Sequence, residues 1–166
     1  MIADYKLYQG AVLAQLIDDA AEGVTVRELV EGGRLHSYIL NERIGLHIKH
    51  SAARLPPWQF TFTAANCVSL MQLRQEYKQV FVVLVCWLDG MVCLSIDEIL
   101  EITEEEQPLQ GWVRAERGKN EWYTISGPRA VLPYKKPQGL ASLAQALDLS
   151  RIRCGLGTKL WRRMFG

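Results

Sequence analysis

The stretch SYILNERIGLHIKHSAARLPPWQFTFT, residues 37–63, predicts three consecutive strands and decides the fold of the chain. Its apolar residues are largely β-branched or aromatic and recur at every second position, a pattern typical of strands. The pair Pro56-Pro57 excludes a helix before the last strand, because prolines lack the backbone N–H donor. We expect the strands over residues 35–40, 44–50 and 58–62.

The polar side chains of this stretch predict a surface for nucleic acid. Alternation along residues 44–51 places His47 and Lys49 on one face and sends His50 to the other. If the strands are neighbours, polar side chains of the next strand share the face of His47 and Lys49. Cations bind phosphate, amides bind sugars or base edges, and an aromatic ring stacks on a base. The predicted binding residues are Arg43, Arg54, Trp58 and Gln59. The alternative interpretation is an ordinary solvated face of an antiparallel sheet.

Helices and further strands are expected on both sides of this stretch. Residues 5–22 predict a helix that ends at Gly23, with an inner face of Leu13, Leu16, Ile17 and Ala20. Residues 24–30 fit either a strand or a continued helix. Further along, we expect a helix over residues 64–77 with Thr63 as its N-cap, a buried strand over 80–88, a capped helix after Ser95, and a hairpin over 111–126. The predicted class is therefore α/β or α+β, with a central mixed sheet flanked by helices and a C-terminal hairpin.

Composition predicts a globular, cytoplasmic protein. The 166 residues carry a formal net charge of +1, so overall charge identifies no partner. The longest apolar run, residues 80–88, is too short to cross a bilayer, and the N-terminus lacks a signal-peptide pattern. We expect one domain over residues 1–127, followed by a basic extension, residues 128–166, that packs on it or trails it.

The four cysteines form no C-x-x-C pair, which argues against a zinc site. Cys86 and Cys93 flank Asp89-Gly90 symmetrically, so a two-residue turn there places them opposite each other on a hairpin. They are either two buried thiols or a redox pair.

The order helix, three strands, helix, strand, with a lysine two positions after a polar residue on an early strand, resembles the PD-(D/E)XK nuclease-like superfamily. The resemblance covers residues 5–94 and depends on His47-Ile48-Lys49, on the preceding SYILN and on the following WQFTF. It implies a restriction-endonuclease-like core, and a metal-dependent nuclease in which Mg²⁺ activates water and Lys49 orients it. His47 and Lys49 are then the catalytic candidates.

This chain departs from the superfamily's pattern at three places. His47 occupies the acid position, Ser37 or Asn41 stands where the first aspartate is expected, and Gln15 replaces a helical glutamate. The metal ligands implied are Asp19, Glu22 and Asn41. The expected function is therefore a nucleic-acid-associated protein, a degenerate or metal-dependent nuclease, with DNA or RNA as its partner.

The alternative function is a non-catalytic interaction protein, an accessory or immunity-type subunit with a protein partner or a second copy of itself. Trp112, Trp122 and Trp161 lie outside the resemblance, and tryptophan is enriched at binding hot spots. The same residues can equally pack the second hairpin.

Overall fold

A computed structural model describes residues 1–29, 36–106 and 109–148 of the chain. The predicted α/β class is confirmed, since a five-stranded mixed sheet and a three-stranded sheet are flanked by four helices in this part. The helices are α1 (Asp4–Asp19), α2 (Ala64–Glu76), α3 (Ile96–Ile102) and α4 (residues 141–148). The strands are β1 (Val26–Glu28), β2 (Ser37–Leu40), β3 (Ile44–Ser51), β4 (Trp58–Phe62), β5 (Gln79–Cys86), β6 (Gly90–Ser95), β7 (Gly111–Glu116) and β8 (Thr124–Ser126).

The larger sheet has the order β1-β2-β3-β5-β6. Strands β3 and β5 are parallel, connected by a crossover that contains α2, and all other pairs are antiparallel. In β2 and β3, Ser37 lies directly opposite His47. The sequence left residues 24–30 as either a strand or a continued helix. In the structure Val26–Glu28 form the short strand β1 at one edge of this sheet.

The three predicted strands of residues 37–63 all exist, but the third is not a neighbour of the second. Strand β4 is an edge strand of the smaller sheet, whose order is β4-β7-β8. The proline-containing loop carries the chain out of the larger sheet, and the aromatic face of β4 then packs over it. The condition that the strands are neighbours is therefore not met, and Gln59 lies in a different sheet from His47 and Lys49.

The core has two parts, one on each side of the larger sheet. One part lies under α1 and α4 and includes Leu16, Ile48 and Leu143. The other lies between the two sheets and under α2 and α3. Strand β5 contributes alternate residues to both, which confirms the prediction of a central strand buried on both faces.

The predicted helix caps are confirmed for α2 and α3. The Thr63 hydroxyl accepts a bond from the Asn66 N–H, and the Asn66 side chain accepts one from the Thr63 N–H. Ser95 and Glu98 form the same reciprocal pair at α3. Each pair satisfies two N–H groups that the helix itself leaves unbonded.

Helix α1 differs from the prediction in its end and its inner face. It ends at Asp19, several residues before Gly23, and buries Gln9, Val12 and Leu16. Ile17, expected inside, is 62% exposed. On this face two rings of the helix stack on histidines, Tyr5 on His36 just before β2 and Tyr8 on His50 of β3.

The two hairpin cysteines are not opposite each other. Trp87 has a positive φ of 47°, so the turn includes residues 87–89 and pairs Cys86 with Gly90. Cys93 instead pairs with Val83, and the two thiols belong to opposite sides of the sheet. Both are free and buried, as the first interpretation predicted. Cys154 lies outside the described residues.

The first part of the predicted C-terminal extension contributes to the core on both sides of the larger sheet. Leu132 joins the core between the sheets, and Leu140, Leu143 and Leu147 join the core under α1. The basic residues from Arg151 onward, and Trp161, lie outside the described residues. Among the helices described, none combines the length and apolar character needed to span a membrane.

Candidate functional site

A cavity of about 330 Å³ lies where the end of β3 meets the edge strand β4 and the start of α2. The Ile48 N–H donates to the carbonyl of His36, the residue before β2, and β3 continues three residues further. The described lining residues are His36, His47, Ile48, Lys49, His50, Gln59, Phe60, Thr61 and Asn66. The cavity thus brings together Lys49, His47 and Gln59, three of the residues predicted from sequence.

Lys49 is half-buried at the centre of this site. Its ammonium group donates to the Thr61 carbonyl and to Asn66 Oδ1 at 3.0 Å, and lies 4.8 Å from the centre of the Phe62 ring. Burial lowers the pKa of the amine from its ordinary value. Within the described part of the chain, no carboxylate pairs with it, so its bonded partners are all neutral.

The start of α2 holds one of these partners in place. Asn66 Oδ1 accepts both from Lys49 and, at 3.1 Å, from the Thr63 N–H of the capping box. The first turn of α2 contains no acidic residue, so the partial positive charge of the helix N-terminus has no neighbouring carboxylate in that turn. The capping signal therefore also fixes the geometry around the lysine.

His47 lies against the floor of the cavity and is 2% exposed. Its Nδ1 atom is 2.9 Å from the Ser37 hydroxyl, which leaves Nε2 without a hydrogen-bond partner among the described residues. Burial, and then the charges of Lys49 and His36, lower the pKa of the ring to about 3. The imidazole is therefore neutral at pH 7, and its ring belongs to the lining of the cavity.

The polar residues of β3 are not on a solvated face. α2 and β4 contact β3, and the interior between the sheets lies on the side of His47, which corrects the interpretation of an open polar surface. His50 lies on the opposite face, as alternation predicted, where its ring centre is 4.4 Å from that of Tyr8. His36 stacks on Tyr5 at 4.9 Å, and burial lowers the pKa of both histidines.

The described lining of the cavity does not include three of the predicted binding residues, Arg43, Arg54 and Trp58. Arg43 is exposed before the start of β3, and Arg54 lies in the following loop, 5.8 Å from the centre of the Trp87 ring. Trp58 is 1% exposed, and its indole N–H donates to the Ala53 carbonyl at 2.8 Å. A ring buried in this way cannot stack on a base. Gln59, which does line the cavity, accepts from Arg114 at 3.1 Å.

The structure does not bring the three predicted metal ligands to Lys49. Asp19 accepts from Gln15 and lines a separate open cavity between α1 and α4. Glu22 lies in the turn after α1. Asn41 Oδ1 accepts from the backbone and the hydroxyl of Thr25, next to the opposite end of β3.

Magnesium does not fit the residues that line the cavity. Mg²⁺ is bound through carboxylate and water oxygens, and no carboxylate belongs to the described lining. The amide oxygen of Asn66 is already used by two donors. Across residues 1–29, 36–106 and 109–148, no group of three or more histidine, cysteine or acidic side chains is arranged to hold a metal ion.

Three residues of this region were missed from sequence. Asn66 was identifiable as the third helical residue after the Thr63 cap, where capping-box partners stand. His36 precedes β2, and its stacking partner Tyr5 lies in α1, far from it in the sequence. Trp87 belongs to the apolar run that was predicted to be a strand. In the structure it has a positive φ and lies in a turn beside Arg54.

No protein-family model, curated protein or solved structure matches the chain.

Proposed function

We propose that this protein binds nucleic acid and holds one of its phosphate groups in the cavity at Lys49. The observation that carries this proposal is a half-buried ammonium group whose partners among the described residues are all neutral. Burying a charge without a counter-charge is unfavourable, so an anion in the cavity supplies what the described lining lacks.

The atoms around Lys49 suit a phosphate group. An ammonium carries three donors, and Thr61 and Asn66 accept two of them, which leaves one for a ligand. His47 and Asn66, in the first turn of α2, line the same cavity, and helix N-termini favour anions. Hydrogen bonds from a charged donor to phosphate oxygens are among the stronger ones in proteins.

The order of elements supports a nuclease-like core for this function. α1, the antiparallel strands β1, β2 and β3, then α2 and the parallel strand β5 follow the order of the PD-(D/E)XK resemblance, with β4 as an addition between β3 and α2. Because magnesium does not fit the lining, we assign the cavity to binding and derive no cleavage step. The protein is thus proposed to be a degenerate, binding relative of such nucleases.

Salt dependence tests this proposal. Binding of single-stranded DNA or RNA, measured by fluorescence anisotropy, should weaken with rising salt because each phosphate contact releases counterions. Lys49→Met should weaken binding. It should also make the slope of log affinity against log salt shallower by about 1, the change expected when one phosphate contact is lost. Lys78→Met, at an exposed lysine outside the cavity, is the matched control and should leave the slope unchanged. Equal slopes for wild type and Lys49→Met would exclude Lys49 as a phosphate contact.

A second candidate function is a protein-interaction subunit, favoured by large apolar side chains in solvent. Leu55 and Leu88 are 77% and 78% exposed, in the loops after β3 and β5. A stoichiometric partner that copurifies with wild type, but not with Leu55→Asp or Leu88→Asp, would support this function. Copurification that is equal for all three would exclude these loops as the interface.

A further inference from the structure

We infer that the cavity takes the phosphorylated end of a single strand rather than a phosphate within a duplex. The inference rests on the proposed function and names the form of nucleic acid that the same site accepts. Three features carry it: the buried side chains at the base of the cavity, the distribution of cations, and an aromatic residue beside the end of β3.

The cavity is closed at its base by buried side chains. His47 and Phe60 line it and are 2% and 1% exposed, whereas Gln59 and Thr61 at the outer side are exposed. A phosphate within a strand has two chain continuations, and both would have to leave on the exposed side of the cavity. A terminal phosphate has a single continuation and needs less open space there.

The charges of the site also match a terminal phosphate. A phosphate monoester carries about −1.5 to −2 charges at pH 7, more than the single charge of a diester. Lys49 is the one lysine or arginine in the described lining, and Arg43 and Arg54 lie apart from it. Duplex binding instead draws on several lysine and arginine contacts along the backbone. One desolvated ammonium suits one strongly charged group.

A half-buried tryptophan lies beside the end of β3, the strand that carries Lys49. The Trp87 N–H donates to the carbonyl of Ser51, the last residue of β3. Ser51 is two residues beyond Lys49, so Trp87 lies beside the end of this strand. Arg54 lies over the Trp87 ring at 5.8 Å. Tryptophan and arginine are the side chains on which unpaired bases stack, and the bases of a duplex are not available for this.

The test compares short oligothymidylates with a terminal phosphate and with a terminal hydroxyl. Each terminus is varied in turn, with the fluorescent label on the other end, and the duplex with oligoadenylate is the third probe. For at least one terminus, we expect the phosphate to raise affinity about tenfold or more, as a charge-assisted hydrogen bond would. Lys49→Met should abolish that difference, and Lys78→Met should preserve it.

Trp87→Asn gives a second, independent readout. Asparagine tolerates the positive φ at this position, and loss of stacking should weaken both single strands about fivefold or more. Trp122→Asn, at an exposed tryptophan in another loop, is its control.

The outcomes separate the inference from the proposed function. Equal affinity for phosphate and hydroxyl ends, with Lys49→Met still weakening both, would overturn the terminal-phosphate inference and leave phosphate binding at Lys49 standing. Tighter binding of the duplex than of the phosphorylated single strand would overturn the inference in the same way. Absence of binding to every probe would overturn both.

Discussion

The Ser37 hydroxyl lies 2.9 Å from Nδ1 of His47, across the antiparallel pair β2 and β3. This bond fixes the orientation of an imidazole that is almost wholly buried and that lines the cavity. The serine thus positions the histidine without lining the cavity itself.

We expect Ser37→Ala to weaken both folding and ligand binding. The substitution leaves a buried ring nitrogen without a partner, which costs about 1–3 kcal/mol of the free energy of unfolding. Urea unfolding measures this loss, and anisotropy with a single-stranded oligonucleotide measures the accompanying drop in affinity. Ser69→Ala, at a buried serine of α2, is the control. Unchanged affinity in Ser37→Ala would show that the orientation of His47 does not matter to the ligand.

Acid should destabilise the fold through His47. Its pKa is about 3 in the folded protein and 6.5 in the unfolded chain, so between these values the unfolded chain binds the extra proton. Stability is therefore fully present above pH 6.5 and falls as pH decreases, by up to about 1.4 kcal/mol per pH unit from this group. His47→Asn keeps an amide beside Ser37 but does not titrate, and it should lose less stability between pH 7 and pH 5. Parallel urea titrations that show equal losses would contradict this assignment.

Lys49→Met should cost little stability although it removes a central side chain. The wild-type ammonium is desolvated and has neutral partners only, so its removal relieves an unfavourable burial while it breaks two hydrogen bonds. We expect the free energy of unfolding to stay within about 1 kcal/mol of wild type, as for residues kept for binding rather than stability. A loss well beyond this in thermal or urea unfolding would indicate a structural lysine.

Two glycine substitutions should act in opposite directions. A Cβ on Gly127 would lie 2.3 Å from the carbonyl oxygen of Ile102, the last residue of α3, which accepts a bond from the Arg129 N–H. Gly127→Ala should therefore destabilise the protein by about 1–3 kcal/mol or more. Gly10 in α1 has open space around it, and Gly10→Ala should stabilise by about 0.5–1 kcal/mol, because alanine favours helices. Calorimetric unfolding of both variants checks the pair, and a neutral Gly127→Ala would show that the contact is easily relieved.

Local patterns identified most of the elements from the sequence. Alternation in residues 44–51 predicted β3 and the opposite faces of His47 and His50, and the Thr63 and Ser95 signals predicted where α2 and α3 begin. These features depend on neighbouring residues alone, and a single sequence contains that information.

The assembly of those elements was less predictable. Alternation does not say which sheet a strand joins, so the sequence could not show that β4 belongs to the smaller sheet and does not pair with β3. The stacking of Tyr5 and Tyr8 in α1 depends on two histidines far along the chain. For the same reason Trp58 was taken for a stacking residue when it is part of the core, and Trp87 was not considered.

The most direct test of phosphate binding at Lys49 is a measurement of the pKa of its amine. An NMR titration of the ε-methylene signals gives this pKa with and without a phosphorylated oligonucleotide. Burial lowers this pKa in the free protein. A phosphate in contact with the ammonium favours its charged form, so we expect the pKa to rise when the oligonucleotide is bound. An unchanged pKa at a saturating concentration of oligonucleotide would contradict the proposed site.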